Sequence, residues 1–146
     1  MIEDINVNNI DEALPLIREY QEFYNVQNIH DEKNKIFFSQ FGIETKEGCL
    51  FAYRQDNQLV AFATVYFTYA SSITSKVAIM NDLYTLEKYR GKGIATQLIK
   101  YCENYAKTKN ASRLQWVTAK DNSTAQKVYL SLGAKQSSWE FFTYTT

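Results

Sequence analysis

The sequence has few of the residues from which disulfide-rich, metal-binding or nucleic-acid-binding proteins are built. Its 146 residues include two cysteines, Cys49 and Cys102, and one histidine, His30. No CxxC pair is present and the three side chains do not complete a zinc-ligand set, so we expect no metal site. Basic and acidic residues number 16 each, and a net charge of zero argues against a nucleic-acid partner.

Long apolar runs are also missing. No run reaches the roughly 18 residues that span a bilayer, and residues 1–4 are acidic and are not followed by the apolar core of a signal peptide. No linker, repeat or low-complexity segment divides the chain. We therefore predict a cytoplasmic protein without a membrane partner, folded as one domain over residues 1–146.

Aromatic residues, by contrast, are abundant: the chain has 11 tyrosines, nine phenylalanines and two tryptophans. Rings in this number are typical of a core and sheet built with aromatic side chains, or of a cleft or dimer surface lined by them. Composition alone leaves both interpretations open.

The spacing of apolar residues predicts a mixed α+β fold. Helical periodicity alternates with runs of β-branched and aromatic residues, and Asp56-Asn57 is typical of a tight turn. Strands that first follow one another and later alternate with helices indicate a mixed sheet. The predicted strands are 2–7, 49–54, 59–67, 73–86, 114–118 and 139–144, and the predicted helices are about 11–24, 31–45 (with Asp31 as its N-cap), 94–109 and 122–132.

A glycine-containing turn joins the fourth predicted strand to the third predicted helix. Gly91 and Gly93 let a backbone approach a ligand closely, and Arg90 and Lys92 add positive charge. The start of a helix offers free amide groups and the positive end of its dipole, which together bind a phosphate. The turn matches neither the P-loop nor the GxGxxG dinucleotide pattern.

A second pattern lies on the last predicted helix. Asn122, Ala125 and Tyr129 are three and four residues apart, so they share one helical face, and Gly133 ends the helix.

With both patterns present in this order, the chain resembles the GNAT family of N-acetyltransferases. Arg90, Gly93 and Ala95 meet the first family signature, and Asn122, Ala125, Tyr129 and Gly133 meet the second. The similarity is good from about residue 61 onward. It implies a central, mostly antiparallel twisted sheet, splayed into a V between its fourth and fifth strands and flanked by about four helices.

The resemblance also implies acetyl-coenzyme A as cosubstrate. In this family the turn amides hold the cofactor pyrophosphate, the strand before the turn binds the pantetheine arm and polarises the acetyl carbonyl, and the last helix contacts the arm. The positions expected to bind the cofactor are Arg90, Gly91, Lys92, Gly93, Ile94, Ala95 and Thr96, then Leu83, Tyr84 and Thr85, and finally Asn122 and Ala125.

The family's reaction assigns catalytic positions as well. Tyr129 matches the tyrosine that protonates the departing thiolate, a task that suits a phenol. The amine must lose a proton, and Asp82 is the predicted base because polyamine acetyltransferases of this family carry acidic residues there. A purely structural or solvated role for Asp82 remains an alternative, and His30 is a weaker candidate base. Since neighbouring strand residues face opposite sides, Asn81 and Asp82 cannot both point into the cleft.

The predicted activity is thus acetyl transfer to a small-molecule amine. A protein acceptor, at an N-terminus or a lysine, and a silent coenzyme A-binding module are the alternatives. Many members of the family form homodimers through C-terminal strands, so residues 139–142 are a candidate dimer surface. The same residues are equally typical of an inward-facing strand.

Overall fold

A computed structural model describes all residues, Met1–Thr146. Five strands form one sheet in the order β1-β2-β3-β4-β5, in which β4 and β5 are parallel and all other neighbours are antiparallel. With four α-helices, this confirms the predicted mixed α+β fold. The elements are β1 (Ile2–Asp4), α1 (Ile10–Phe23), α2 (Asp31–Phe38), β2 (Gly48–Gln55), β3 (Gln58–Ala70), β4 (Ser75–Thr85), α3 (Ile94–Thr108), β5 (Leu114–Gln115) and α4 (Ser123–Ser131).

A tight hairpin starts the meander, as the sequence predicts. Asp56 and Asn57 connect β2 to β3 and have φ angles of 52° and 62°. Two successive residues with positive φ give the turn a twist that matches the twist of paired strands.

The sheet separates two hydrophobic clusters. Because side chains alternate along a strand, Phe51 faces α3 while its neighbours Leu50 and Ala52 face α1. The cluster against α3 includes Ala63, Val65, Met80, Leu98 and Cys102, and the cluster against α1 includes Ile10, Ala13, Leu16, Ile17 and Phe62. Cys49 and Cys102 are both buried free thiols.

A β-bulge interrupts the pairing of β3 with β4. Thr64 lies opposite Asp82 and the next residue, Val65, lies opposite Met80, so Asn81 is left without a partner. One extra residue reverses the alternation of side chains beyond it. Met80 consequently packs in the α3 cluster, whereas Asp82 turns toward α1.

The sheet opens between its fourth and fifth strands, as predicted. Only two residue pairs join them, Ala78 with Leu114 and Ile79 with Gln115. β4 continues to Thr85 without a partner on that side, so its edge borders an open, V-shaped gap. None of the helices is both long and apolar enough to cross a membrane.

α2 differs from prediction at both of its ends. α2 ends at Phe38 instead of Thr45, because the chain leaves the helical path and Phe41 packs on Tyr66 of β3, with ring centroids 4.5 Å apart. His30, not Asp31, precedes the helix; Asp31 is its first residue and pairs with Arg18 at 3.0 Å.

The predicted strand at 139–144 is wrong. These residues form neither a strand nor a helix, and Trp139 is 93% exposed. The predicted strand at 114–118 shrinks to Leu114 and Gln115. No strand lies beside β5 on its outer edge, so neither segment gains a ladder of hydrogen bonds there.

Candidate active site

The turn before α3 carries a row of free amide groups. None of the backbone N–H groups of residues 91–96 donates a hydrogen bond within the protein; the first helical bond runs from Gln97 to the Gly93 carbonyl. Six unpaired donors at the start of a 15-residue helix fit an anion such as a pyrophosphate.

Both glycines of the turn have left-handed backbones, with φ of 74° at Gly91 and 80° at Gly93. A Cβ built at either position meets no atom within 4 Å, so the space beside the turn is open to a ligand. Lys92 and Lys88 extend over the Tyr89 ring at 5.3 and 5.1 Å from its centroid, which keeps two positive charges beside the turn.

Arg90 connects this turn to α1. Its Nε donates to the Thr85 carbonyl at 2.8 Å, and its guanidinium lies 5.7 Å from the ring centroid of Phe23 and 5.4 Å from that of Tyr84. The Thr85 carbonyl is therefore occupied by Arg90. Leu83, the third residue predicted on this strand, packs against the α3 cluster.

α4 presents the second set of predicted residues. The Asn122 side chain accepts a hydrogen bond from the Ala125 amide at 3.2 Å and so caps the helix. Tyr129 is partly buried, with its ring edge-on to Trp116 at 5.3 Å between centroids. Burial, and to a lesser degree the neighbouring Tyr24, raises the pKa of Tyr129 above its ordinary value near 10. The phenol thus stays protonated at neutral pH and can donate a proton.

Asp82 is held by hydroxyl and amide donors. Its side chain is on the α1 side of the sheet, and the residue is 7% exposed. The Tyr20 hydroxyl donates to Oδ1 at 2.6 Å, Asn81 Nδ2 donates to the same oxygen at 3.2 Å, and the Thr64 hydroxyl donates to Oδ2. Asp82 is therefore not a solvated surface carboxylate, which removes one alternative left open by the sequence.

An aromatic row at the end of α1 begins at Asp82 and ends near Tyr129. Tyr20, bonded to Asp82, packs on Tyr24 with ring centroids 5.1 Å apart, and Tyr24 is close enough to Tyr129 to affect its pKa. Tyr84 joins the row at 5.7 Å from Tyr20. Asp82, Tyr20, Tyr84 and Tyr24 therefore form a continuous group, and Tyr129 lies near its Tyr24 end.

Tyr20 is the residue that sequence reasoning missed. It fell on the apolar stripe of α1, 62 positions from Asp82, and no local pattern relates the two. His30 is exposed and its side chain makes no hydrogen bond. No three histidine, cysteine or acidic side chains gather in a group able to hold a metal ion.

Comparison with known proteins identifies the family of the chain. Residues 14–134 match the sequence model of the acetyltransferase (GNAT) family. The chain belongs to this family. It is accordingly an enzyme that transfers acetyl groups to nitrogen, and the family's acetyl donor is acetyl-coenzyme A.

Relatives of this GNAT protein are named as acetyltransferases, and one of them is named for an aminoglycoside substrate. The N-acetyltransferase YhfO of Bacillus subtilis is 25% identical over 122 residues, which cover 84% of this chain and 80% of the relative. An aminoglycoside N(6')-acetyltransferase of Acinetobacter genomosp. 13 is 30% identical over 107 residues, covering 71% and 73%. The crystal structure of a probable acetyltransferase superposes with a TM-score of 0.83 at 29% identity, covering 100% of this chain and 96% of the other.

Proposed function

We propose that this GNAT enzyme acetylates a primary amine of a small molecule. Tyr129 is the general acid, and Asp82 is the group toward which the amine's proton passes. The observation that supports the proposal is the aromatic row of α1, in which Tyr20 bonds to Asp82 and packs on Tyr24, a neighbour of Tyr129.

The cofactor residues divide by role. Amides of residues 91–96, with Lys92 nearby, bind the pyrophosphate of acetyl-coenzyme A. The unpaired edge of β4, from the bulge at Asn81 to Thr85, receives the pantetheine arm, and its amides polarise the acetyl carbonyl. Asn122 Nδ2 remains available to the arm while its Oδ1 caps α4, and Ala125 leaves room beside the helix.

The transfer is a direct attack within a ternary complex. The nitrogen of the neutral amine forms a bond to the acetyl carbon, and the carbon–sulfur bond then breaks. The sulfur leaves with the electron pair and takes the hydroxyl proton of Tyr129, whose raised pKa keeps that proton available. The proton lost by nitrogen passes toward Asp82.

The aromatic side chains and the negative charge around Asp82 favour a small acceptor. The end of α1 contributes Tyr20, Phe23 and Tyr24, and Asp82 supplies negative charge beneath them. The aminoglycoside-acetylating relative agrees with such an acceptor. A protein acceptor is the second candidate, since Phe23 and Tyr24 are exposed and offer a surface to a peptide.

Release of free thiol from acetyl-coenzyme A tests the activity and the acceptor class together. Spermidine, lysine and kanamycin represent polyamines, amino acids and aminoglycosides. Turnover of one class would support the proposal and name the acceptor. Cofactor binding without turnover of any of them would contradict it and favour a protein acceptor or a silent coenzyme A-binding module.

The role of Tyr129 is tested by Tyr129→Phe, which keeps the ring against Trp116. Losing a general acid lowers kcat by about 10- to 1000-fold, while the affinity for acetyl-coenzyme A should change little. Tyr69→Phe, at a position that is 78% exposed on β3, is the matched control and should leave kcat unaltered. An unaltered kcat in Tyr129→Phe would remove the tyrosine from the mechanism.

We also propose that the chain forms a homodimer through residues 139–144. Trp139, Phe141, Phe142 and Tyr144 are each at least 85% exposed. Aromatic side chains bury roughly 150–250 Å² each, so two reciprocal segments bury about 1,200–2,000 Å², the range of a stable interface. A second copy has the unpaired outer edge of β5 to receive them. Light scattering should show a dimer that Trp139→Ser with Phe141→Ser converts to a monomer; a monomeric parent chain would contradict the proposal.

Location in the cytoplasm stays a prediction from the sequence. Fractionation of cells that express the tagged chain, with acetyltransferase activity as the marker, would test it.

A further inference from the structure

The contacts of Asp82 limit how a substrate can reach it. Both carboxylate oxygens already accept a hydroxyl hydrogen bond, one from Tyr20 and one from Thr64, and Oδ1 accepts an additional bond from Asn81. With only 7% of the residue exposed, the carboxylate offers little surface for direct contact with an amine.

Of the three donors, only Tyr20 can pass a proton from a bound amine to Asp82. Thr64 is fully buried, so a substrate cannot approach its hydroxyl. Asn81 is exposed, but its amide nitrogen has no basic lone pair and does not accept a proton. Tyr20 is partly exposed, its hydroxyl oxygen has free lone pairs, and its proton already points at Asp82 Oδ1 over 2.6 Å.

We propose that Tyr20 relays the proton of the acceptor amine to Asp82, an inference that rests on the acetyltransferase activity proposed above. As the carbon–nitrogen bond forms, the nitrogen proton moves to the Tyr20 hydroxyl oxygen and the Tyr20 proton moves to Asp82 Oδ1. Tyr20 ends the step as a neutral phenol and Asp82 as a carboxylic acid. The thiolate takes its proton from Tyr129, and exchange with solvent restores both residues.

The surroundings of Tyr20 favour a relay over a free phenolate. Burial, followed by the hydrogen bond to Asp82, raises the pKa of Tyr20 far above that of an ordinary tyrosine. A tyrosinate is therefore strongly disfavoured, whereas concerted movement of two protons never forms one. Edge-to-face packing on Tyr24, Phe62 and Tyr84 holds the ring with its hydroxyl on Oδ1.

Tyr20→Phe removes the hydroxyl and keeps the ring and its packing. With acetyl-coenzyme A and the fastest amine among spermidine, lysine and kanamycin, kcat/KM should fall about 10- to 1000-fold. Acetyl-coenzyme A affinity should stay near that of the parent chain, and the melting temperature should fall by several degrees because the buried Asp82 loses one donor. Tyr105→Phe, the same change on the α3 face of the sheet, should leave kcat/KM unchanged.

A double-mutant cycle separates a relay from a structural role. If Tyr20 acts through Asp82, the variant with both Tyr20→Phe and Asp82→Asn should be no slower than Asp82→Asn alone, within about twofold. In mixtures of H₂O and D₂O, the dependence of kcat/KM on deuterium fraction should be more strongly curved for the parent chain than for Tyr20→Phe, because one fewer proton moves in the variant.

Parent-like kcat/KM in Tyr20→Phe would overturn the relay while the acetyltransferase assignment stands. Multiplicative losses in the double variant, or identical deuterium curves, would also overturn it. A parent chain that turns over no amine would defeat the proposed function first, and the relay with it.

Discussion

Replacing Gly93 by alanine should weaken the binding of acetyl-coenzyme A more than it lowers the stability of the fold. Gly93 has φ of 80° at the start of α3, and the space where a Cβ would stand is open. A left-handed backbone costs a non-glycine residue about 1–2 kcal/mol, and about 0.4–1 kcal/mol returns because the unfolded chain loses freedom. The net loss of unfolding free energy is therefore about 1 kcal/mol, which lowers the melting temperature by about 2–4 °C.

The expected effect on binding is larger. A Cβ beside the free amides displaces the pyrophosphate from at least one of them, and a hydrogen bond to a charged group contributes about 1.5–3 kcal/mol. At about 1.4 kcal/mol per factor of ten, the Kd for acetyl-coenzyme A should rise about 10- to 100-fold. Isothermal titration calorimetry measures this directly.

Gly133→Ala is the matched control. Gly133 follows α4, has φ of 88° and is equally open, so the substitution carries the same backbone strain away from the turn. It should lower the melting temperature to a similar extent and leave the Kd unchanged. Equal affinity in the two variants would refute the assignment of residues 91–96 to the pyrophosphate.

Three further outcomes follow from buried groups. Tyr105→Phe should raise the melting temperature, as seen by calorimetry, because the Tyr105 hydroxyl is buried without a partner; a lower melting temperature would show that it has one. Burial raises the pKa of Cys49 and of Cys102 to about 12. Ellman's reagent at pH 8 should therefore label neither thiol until urea unfolds the chain. Labelling of the native protein would contradict the burial of the two thiols. Burial, and next the charge of Asp82, raises the pKa of Tyr66 from about 10 to about 12. The contribution of neutral Tyr66 to stability is therefore complete below pH 10 and is lost as the pH rises through 12, so the urea midpoint of unfolding should fall over that interval. A constant midpoint would exclude this linkage.

Much of the fold follows from local sequence. The glycine turn before α3, the start of α4 near residue 122 and the Asp56-Asn57 hairpin all depend on neighbouring residues, and the structure shows each where the pattern indicates. The sheet order and its opening beside β4 agree with the family resemblance.

What the sequence could not provide depends on distant contacts. The aromatic alternation at 139–144 is typical of a strand, but strand formation also needs a neighbour, and none is present. α2 stops early because Phe41 packs on Tyr66, a contact between residues 25 positions apart. The partners of Asp82 come from α1, β3 and β4, so its surroundings exist only once the sheet and helix have met.

The extra residue in β4 is the one position of that strand whose loss the pairing can absorb. Asn81 is exposed and has no partner on β3, whereas its neighbours Met80 and Asp82 pair with Val65 and Thr64 and face opposite sides of the sheet. Adjacent residues of a regular strand also face opposite sides, so a chain without Asn81 would keep Met80 in the α3 cluster and Asp82 toward α1. Variation among natural or engineered sequences should therefore allow both substitutions and a gap at position 81, at the cost of the hydrogen bond from Asn81 to Asp82.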